Sequence, residues 1–356
     1  MLLRMPMNSS LHPQKGGMPV HNAPLSCKRW LVFRLGHLGD VTLTTGVLAE
    51  LGRGFGWTFA FVTKTPWAEI FTGNPHIRTV IALDKAELGI VAFASLCRRL
   101  ASEYADWGLL DLHGSLRSRM LCALWRGPVL RYPKMSMERR IFLHTRAGAE
   151  KLLRASVPQR YFMAAGRDVP PPDALLPRIW LRDEERLRAR RHIDALLEPG
   201  VSPVALHPFA AHSLKTWPED HWRALAKLLD EKSVPWLILG RGKSLFPDRK
   251  QDLSNTTSLR ESCALLSCCR SLVSGDSGPL HLAAAVDTPI IALFGPTTRE
   301  WGFYPAGARD HVLEISLPCR PCSLYGLSSC RRKGECLAGI SLESVLKTLE
   351  QQDRQA

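Results

Sequence analysis

Short, uniformly apolar runs alternate with helix-patterned segments along this chain, and the triplet Pro170-Pro171-Pro172 cuts that alternation in two. A strand that is apolar at every position needs cover on both faces, and the helices of βαβ units supply it. The pattern therefore directs the chain toward parallel sheets. In the first half, residues 30–34 read as a buried strand. A glycine-containing turn, Leu35-Gly36-His37-Leu38-Gly39-Asp40, follows, and then Val41, Leu43, Val47, Leu48 and Leu51 at helical spacing. Further strands are expected over 58–63, 79–83 and 108–112, with a helix over 88–104. In the second half, strands are expected over 204–207, 236–239, 271–274 and 289–294. Helices are expected over 184–197, 218–232, 258–268 and 278–286, with Pro218 in a first helical turn.

A proline triplet continues neither a helix nor a central strand. Residues 171–177 are therefore read as a linker between a lobe of 30–170 and a lobe of 178–356 with a cysteine-containing tail. The expected fold class is α/β: two facing Rossmann-like domains with parallel sheets and a cleft between them. Ligands in such folds sit at the carboxyl ends of strands. Residues 1–29, with Pro6, Pro13, Pro19, Pro24 and the Gly16-Gly17 pair, read as a flexible extension. They lack the apolar stretch of a secretory signal.

Lys and Arg outnumber Asp and Glu 47 to 33, a net charge of +14. Such a field attracts polyanions: nucleic acid, anionic lipid or phosphorylated substrate. The basic residues are dispersed rather than gathered into one arm, which argues against a nucleic-acid tail. No run reaches the ~18 apolar residues of a membrane-spanning helix. Six of the ten cysteines are scattered, and Cys319, Cys322, Cys330 and Cys336 cluster near the end. This usage suits a reducing, cytosolic compartment.

Four segments carry candidate chemistry. In the first turn, Asp40 stands at a helix start, where free N–H groups favour its ionised form. It reads either as a general base or simply as an N-cap. Ser274-Gly275-Asp276-Ser277-Gly278-Pro279-Leu280-His281 follows a strand and opens a helix, so Ser277 and Gly278 offer an anion site. His281 either faces that site or is a buried core histidine. Lys215 lies in a long loop after the 204–207 strand and suits a phosphate, although a loop lysine is commonly just solvated. The four clustered cysteines fit a structural Zn²⁺ or free thiols. The tail is expected at the edge of the second lobe, away from the chemistry.

These segments together resemble glycosyltransferase family 9, the bacterial heptosyltransferases. The resemblance rests on Arg34-Leu35-Gly36-His37-Leu38-Gly39-Asp40-Val41, Asp111-Leu112-His113-Gly114-Ser115-Leu116-Arg117-Ser118 and Lys215-Thr216-Trp217-Pro218. It rests most specifically on 275–285 with Phe294-Gly295-Pro296-Thr297. It implies a GT-B architecture and inverting transfer of a heptose from ADP-heptose to the inner core of lipopolysaccharide. By position, Asp40 is implied as the base. Lys215, Asp276, Ser277, Gly278 and His281 are implied on the donor, and His113, Ser115 and Arg117 on the acceptor. The implied acceptor is an anionic lipid A–Kdo or core oligosaccharide. No metal is implied for catalysis, and any zinc would be structural. The implied place of work is the cytoplasmic face of the inner membrane, with no nucleic-acid partner. Two rivals stand beside this reading: a nucleotide-sugar 2-epimerase on the same fold, and a non-enzymatic basic binding module.

Overall fold

The computed structural model describes residues 26–326 and 330–355. The expected extension therefore lies outside the described residues up to position 25. The first sheet holds β1 (Arg29–Phe33), β2 (Thr58–Lys64), β3 (Ile77–Leu83), β4 (Gly108–Asp111) and β5 (Val129–Arg131), in the order β3-β2-β1-β4-β5. The second holds β6 (Val204–His207), β7 (Trp236–Ile238), β8 (Ser271–Gly275), β9 (Ile290–Leu293) and β10 (His311–Leu313), in the order β10-β9-β8-β6-β7. Every pairing is parallel. The apolar runs explain why: Trp30, Leu31, Val32 and Phe33 are fully buried on both faces of their sheet.

Strand order reverses between β1 and β4 in one sheet and between β6 and β8 in the other. Loops leaving a reversal point diverge and open a crevice. Register sharpens the effect, because Phe33 is opposite Asp111 and His207 is opposite Ser274. All four motif segments thus leave their sheets beside such a crevice.

Several expectations need correction. β5 and β10 are three residues each, too short for a periodicity to reveal. The stretch left unassigned after 112 holds helices Leu116–Leu124, Ser136–Thr145, Ala149–Leu153 and Val157–Met163. A further helix, Leu342–Asp353, closes the chain's described part. Pro218 is the N-cap of helix Glu219–Glu231 rather than part of its first turn. Within the expected linker, the last proline of the triplet opens a packed turn, Pro172–Leu175. Leu175 is fully buried, Arg178 N–H donates to Thr45 Oγ1 at 2.8 Å, and Ile179 N–H donates to Ala285 O at 2.8 Å.

One apolar core runs through both sheets, from Trp30 and Val47 to Leu272 and Ile290. Helix Leu38–Phe55 packs on Val157–Met163 and, across the cleft, on Gly278–Ala284. Buried arginines fasten the same seam through backbone carbonyls. Arg160 donates to Leu152 O at 2.8 Å and Glu300 O at 3.2 Å. Arg260 donates to Glu69 O and Thr72 O, both at 3.2 Å, and holds Glu185 at 2.6 Å. Among the described residues no helix is long and apolar enough to cross a membrane.

Candidate active site

Helix Leu38–Phe55 starts immediately beyond β1, with His37 as its N-cap and Asp40 three positions in. Asp40 is therefore not the N-cap. Its Oδ2 accepts from His37 N–H at a long 3.3 Å and meets an Arg34 guanidinium nitrogen at 2.6 Å. Its Oδ1 accepts from the Tyr161 hydroxyl at 3.1 Å. Arg34 also donates to Leu112 O at 2.6 Å and lies 5.5 Å from the centre of the Tyr161 ring. Burial alone would raise the Asp40 pKa; the Arg34 charge, the Tyr161 hydroxyl and the His37 N–H together more than offset it. The carboxyl is thus held below its ordinary value and is ionised at neutral pH.

The acceptor-side motif divides in two. Asp111 Oδ1 accepts from the N–H groups of His113 and Gly114, both at 2.9 Å, and folds the chain back at the end of β4. That turn sets His113 in the field of Arg34, Lys134 and Asp40. Burial, then the Arg34 and Lys134 charges, push its imidazole down to about 3, so it is neutral. Its Nδ1 is buried and has no hydrogen-bond partner. Lys134, which the sequence reading missed, donates to Gly114 O at 3.1 Å. Ser115 and Arg117 are not brought to Asp40. Ser115 caps helix Leu116–Leu124 by accepting from Ser118 N–H, and exposed Arg117 donates to Leu88 O at 3.1 Å on the outer rim.

Across the cleft, Asp276 Oδ2 accepts from Lys215 Nζ at 2.5 Å and from Thr297 Oγ1 at 2.7 Å. The two donor-side charges predicted from separate motifs are therefore ion-paired with each other. Helix Gly278–Ala284 is only seven residues long and carries Pro279 in its first turn, so little aligned dipole and fewer free N–H groups are on offer. The predicted anion site at its start is weaker than expected on that account. Ser277 makes no side-chain cap bond. Its hydroxyl lies 3.3 Å from His207 Nδ1 and 3.1 Å from Ser274 Oγ. His207 was passed over as a strand residue; burial pushes it down to about 4.

His281 is one of the points where the lobes meet. It is buried, and a Cβ built on Gly39 would lie 2.6 Å from its Cδ2. Only glycine at 39 lets the starts of the two motif helices touch. Burial pushes the His281 imidazole down to about 4 despite the nearby Asp276 and Asp40 charges. Asp40 and the Asp276–Lys215 pair thus act on one buried ring from opposite lobes.

The tail is not remote from this place. Cys322 N–H donates to Pro296 O at 3.2 Å, and Trp301 Nε1 donates to Ser323 O at 3.3 Å. A Cβ on Gly326 would stand 3.0 Å from Lys215 Cγ, so the tail backbone lies along the lysine's stem. Arg146, from the other lobe, donates to Pro321 O at 2.8 Å and Cys319 O at 3.2 Å. Among the described residues no three His, Cys, Asp or Glu side chains converge on a point that a metal could occupy. Cys322 nevertheless lies within charge range of Cys319 and Cys330, and Cys336 within range of Cys322 and Cys330.

The pattern of glycosyltransferase family 9 (heptosyltransferase) matches residues 93–328. The chain is 27% identical over 327 residues to lipopolysaccharide heptosyltransferase 1 of Pseudomonas aeruginosa, covering 83% of this chain and 86% of that protein. In structure it resembles a glycosyl transferase family 9 protein from Veillonella parvula, with a TM-score of 0.72, 18% identity and coverage of 94% and 99%. It also resembles ADP-heptose lps heptosyltransferase II of E. coli, with a TM-score of 0.68, 19% identity and coverage of 92% and 100%. These structural likenesses make the fold GT-B. The family pattern spans more than half of the length and takes in the His113 turn, Lys215 and the Asp276–His281 turn; this chain belongs to glycosyltransferase family 9, the heptosyltransferases.

Proposed function

We propose that this glycosyltransferase moves a heptose from ADP-heptose to a hydroxyl of the lipopolysaccharide inner core, with inversion at the anomeric carbon. The observation that carries the proposal is Asp40: a carboxylate held ionised by Arg34 and Tyr161, directly across a closed seam from the Asp276–His281 turn.

In the proposed step the acceptor oxygen attacks the anomeric carbon while the bond to the ADP oxygen breaks. The acceptor proton passes to Asp40, and the electron pair of the broken bond leaves on the diphosphate. A carboxylate of lowered pKa is a weak base toward an alcohol. The attacking hydroxyl, however, becomes strongly acidic as its new C–O bond forms, so Asp40 need only receive the proton late. Lys215 exchanges Asp276 for the diphosphate, whose charge grows in the transition state. Asp276, freed, accepts from hydroxyls of the donor sugar. Ser277 and Gly278 meet the phosphates by hydrogen bonds, and neutral His281 contributes a hydrogen bond rather than a charge. On the acceptor side His113 and Lys134 share the field of Asp40, with Arg117 on the outer rim for an anionic acceptor.

Leaving-group charge is thus handled by Lys215, and the scheme calls on no metal. The tail is assigned a structural part, covering the Lys215 stem. The enzyme works in the cytoplasm at the inner face of the inner membrane, where its positive charge suits an anionic, lipid-linked acceptor. The test is incubation with ADP-heptose and a panel of truncated lipid acceptors, followed by mass analysis. Acceptor gain of one heptose that is lost in Asp40→Asn supports the reading. Release of a free epimerised sugar without any acceptor would replace it with the epimerase.

A further inference from the structure

Helices Ile90–Glu103 and Leu116–Leu124 follow the parallel strands β3 and β4 and pack on each other. Each runs back along its sheet, so both begin at the same edge, the carboxyl edge where Asp40 and His113 lie. At that edge three large aliphatic side chains project into solvent: Ile90 at 84% exposure, Val91 at 83% and Leu116 at 81%. The next most exposed, Met137 at 64%, begins helix Ser136–Thr145 after β5, with Ile141 one turn on. Arg117 binds the two helix starts into one surface by donating to Leu88 O.

Helix Ile90–Glu103 buries Phe93, Leu96, Cys97 and Leu100, so its core needs are met without Ile90 and Val91. Removing three such side chains from water would gain free energy that folding by itself leaves unused. Their surroundings are charged. Lys64, Lys85, Arg117 and Arg140 are exposed on the same edge. The acids there include Asp84, Glu87 and Glu138; Glu87 accepts from Asp84 N–H and faces Arg99 at 3.9 Å, and Glu138 is paired with Lys151 at 2.8 Å. Aliphatic side chains amid exposed Lys and Arg match an interface that is apolar within and anionic at its surface.

We infer that this rim is a docking surface for an anionic lipid bilayer, entered by Ile90, Val91 and Leu116 and held by the surrounding lysines and arginines. The inference builds on the lipid-linked acceptor proposed above, since it sets the mouth of the acceptor lobe against the leaflet that carries that acceptor.

Co-sedimentation with vesicles tests it. The wild-type chain should partition onto phosphatidylglycerol vesicles, weakly onto pure phosphatidylcholine, and come off as salt is raised. The triple variant Ile90→Ser, Val91→Ser, Leu116→Ser should lower partition onto the anionic vesicles by about tenfold or more. Its melting temperature and its transfer to a deacylated, water-soluble acceptor should match wild type. Equal partition of variant and wild type overturns the rim, and so does wild type that binds neither vesicle. A wild-type dimer that the triple variant dissociates, with vesicle binding unchanged, gives the rim to a second copy of the chain instead. Failure of transfer to every acceptor, with the vesicle difference intact, would remove the transferase reading and leave the rim.

Discussion

The two lobes place an aspartate at equivalent points, beside the strand reversal of each sheet, yet they hold it differently. Asp40 takes its partners from elements that are buried and rigid: Arg34 directly after β1, and Tyr161 in a helix packed on its own. Asp276 takes its partner from a loop: Lys215 ends the short turn Ser213–Lys215 between β6 and the next helix. The first arrangement fixes charge and orientation before any ligand arrives. The second neutralises two charges against each other until a ligand separates them. The difference teaches that, on the proposed mechanism, the acceptor side is preorganised for proton transfer, whereas the donor side is opened by the diphosphate.

The largest effect should come from the acid that has nothing to rearrange. Asp40→Asn should cut turnover by about 10²–10⁴-fold, the usual range for a lost general base, while ADP affinity stays near wild type. Turnover within a few-fold of wild type would erase the functional contrast between the lobes.

Lys215→Ala breaks the other lobe's pair. It should weaken ADP binding by about 10–100-fold, the range of one charge-assisted hydrogen bond, and slow transfer as well. An ADP affinity that does not move, measured by calorimetry, would mean that the pair is a structural tie and not a switch.

Tyr161→Phe sharpens the comparison without creating an unpaired charge. Removing Arg34 instead would strand a buried carboxylate at a cost of about 3–5 kcal/mol of stability. The Tyr161 hydroxyl lowers the Asp40 pKa, so its loss should move the acidic limb of kcat/KM to higher pH. At pH values on that limb the variant should be slower by about tenfold. A uniform loss at all pH values, with the limb in place, would point to packing instead.

The smallest effect is on stability. His207 and His281 are each pushed down to about 4 by burial, against an ordinary 6.5. Between those values the unfolded chain binds more protons at these two sites, so their contribution to stability falls as pH drops from about 6.5 toward 4 and is lost below. Urea midpoints should follow that slope, and His281→Gln should make it shallower. An identical slope in the variant would take His281 out of the linkage.

How much of this was legible beforehand differs by element. β1 and its turn could be read because an unbroken apolar run ended in glycine and aspartate, a purely local signal. β5 and β10 could not, since three residues show no period. The donor motif announced Asp276 and Lys215 separately but not their ion pair, which joins positions far apart in the chain. Ser115 illustrates the reverse case: inside a matching motif its hydroxyl also accepts the cap bond of its own helix, which the motif does not announce. Tyr161 carried no signal at all, because a tyrosine in an unassigned stretch looks like any core aromatic until a helix carries it to Asp40. The tail was misplaced for a related reason, since composition says nothing about which loop a backbone will cross.

By itself, then, the sequence determined what short-range chemistry can encode: two sets of parallel strands, the turns that end them, the charge of +14 and the identity of each motif's ionisable groups. Tertiary structure alone decided which of those groups meet. Whether Asp40 is ionised depends on a guanidinium and a phenol brought from other elements, and on how much water their packing removes. Whether Lys215 is free depends on Asp276 and on the tail backbone along its stem. Pattern and propensity act over a few residues along the chain; burial and electrostatic pairing act over a few ångströms in space. Only the folded chain brings those two distances together at Gly39 and His281.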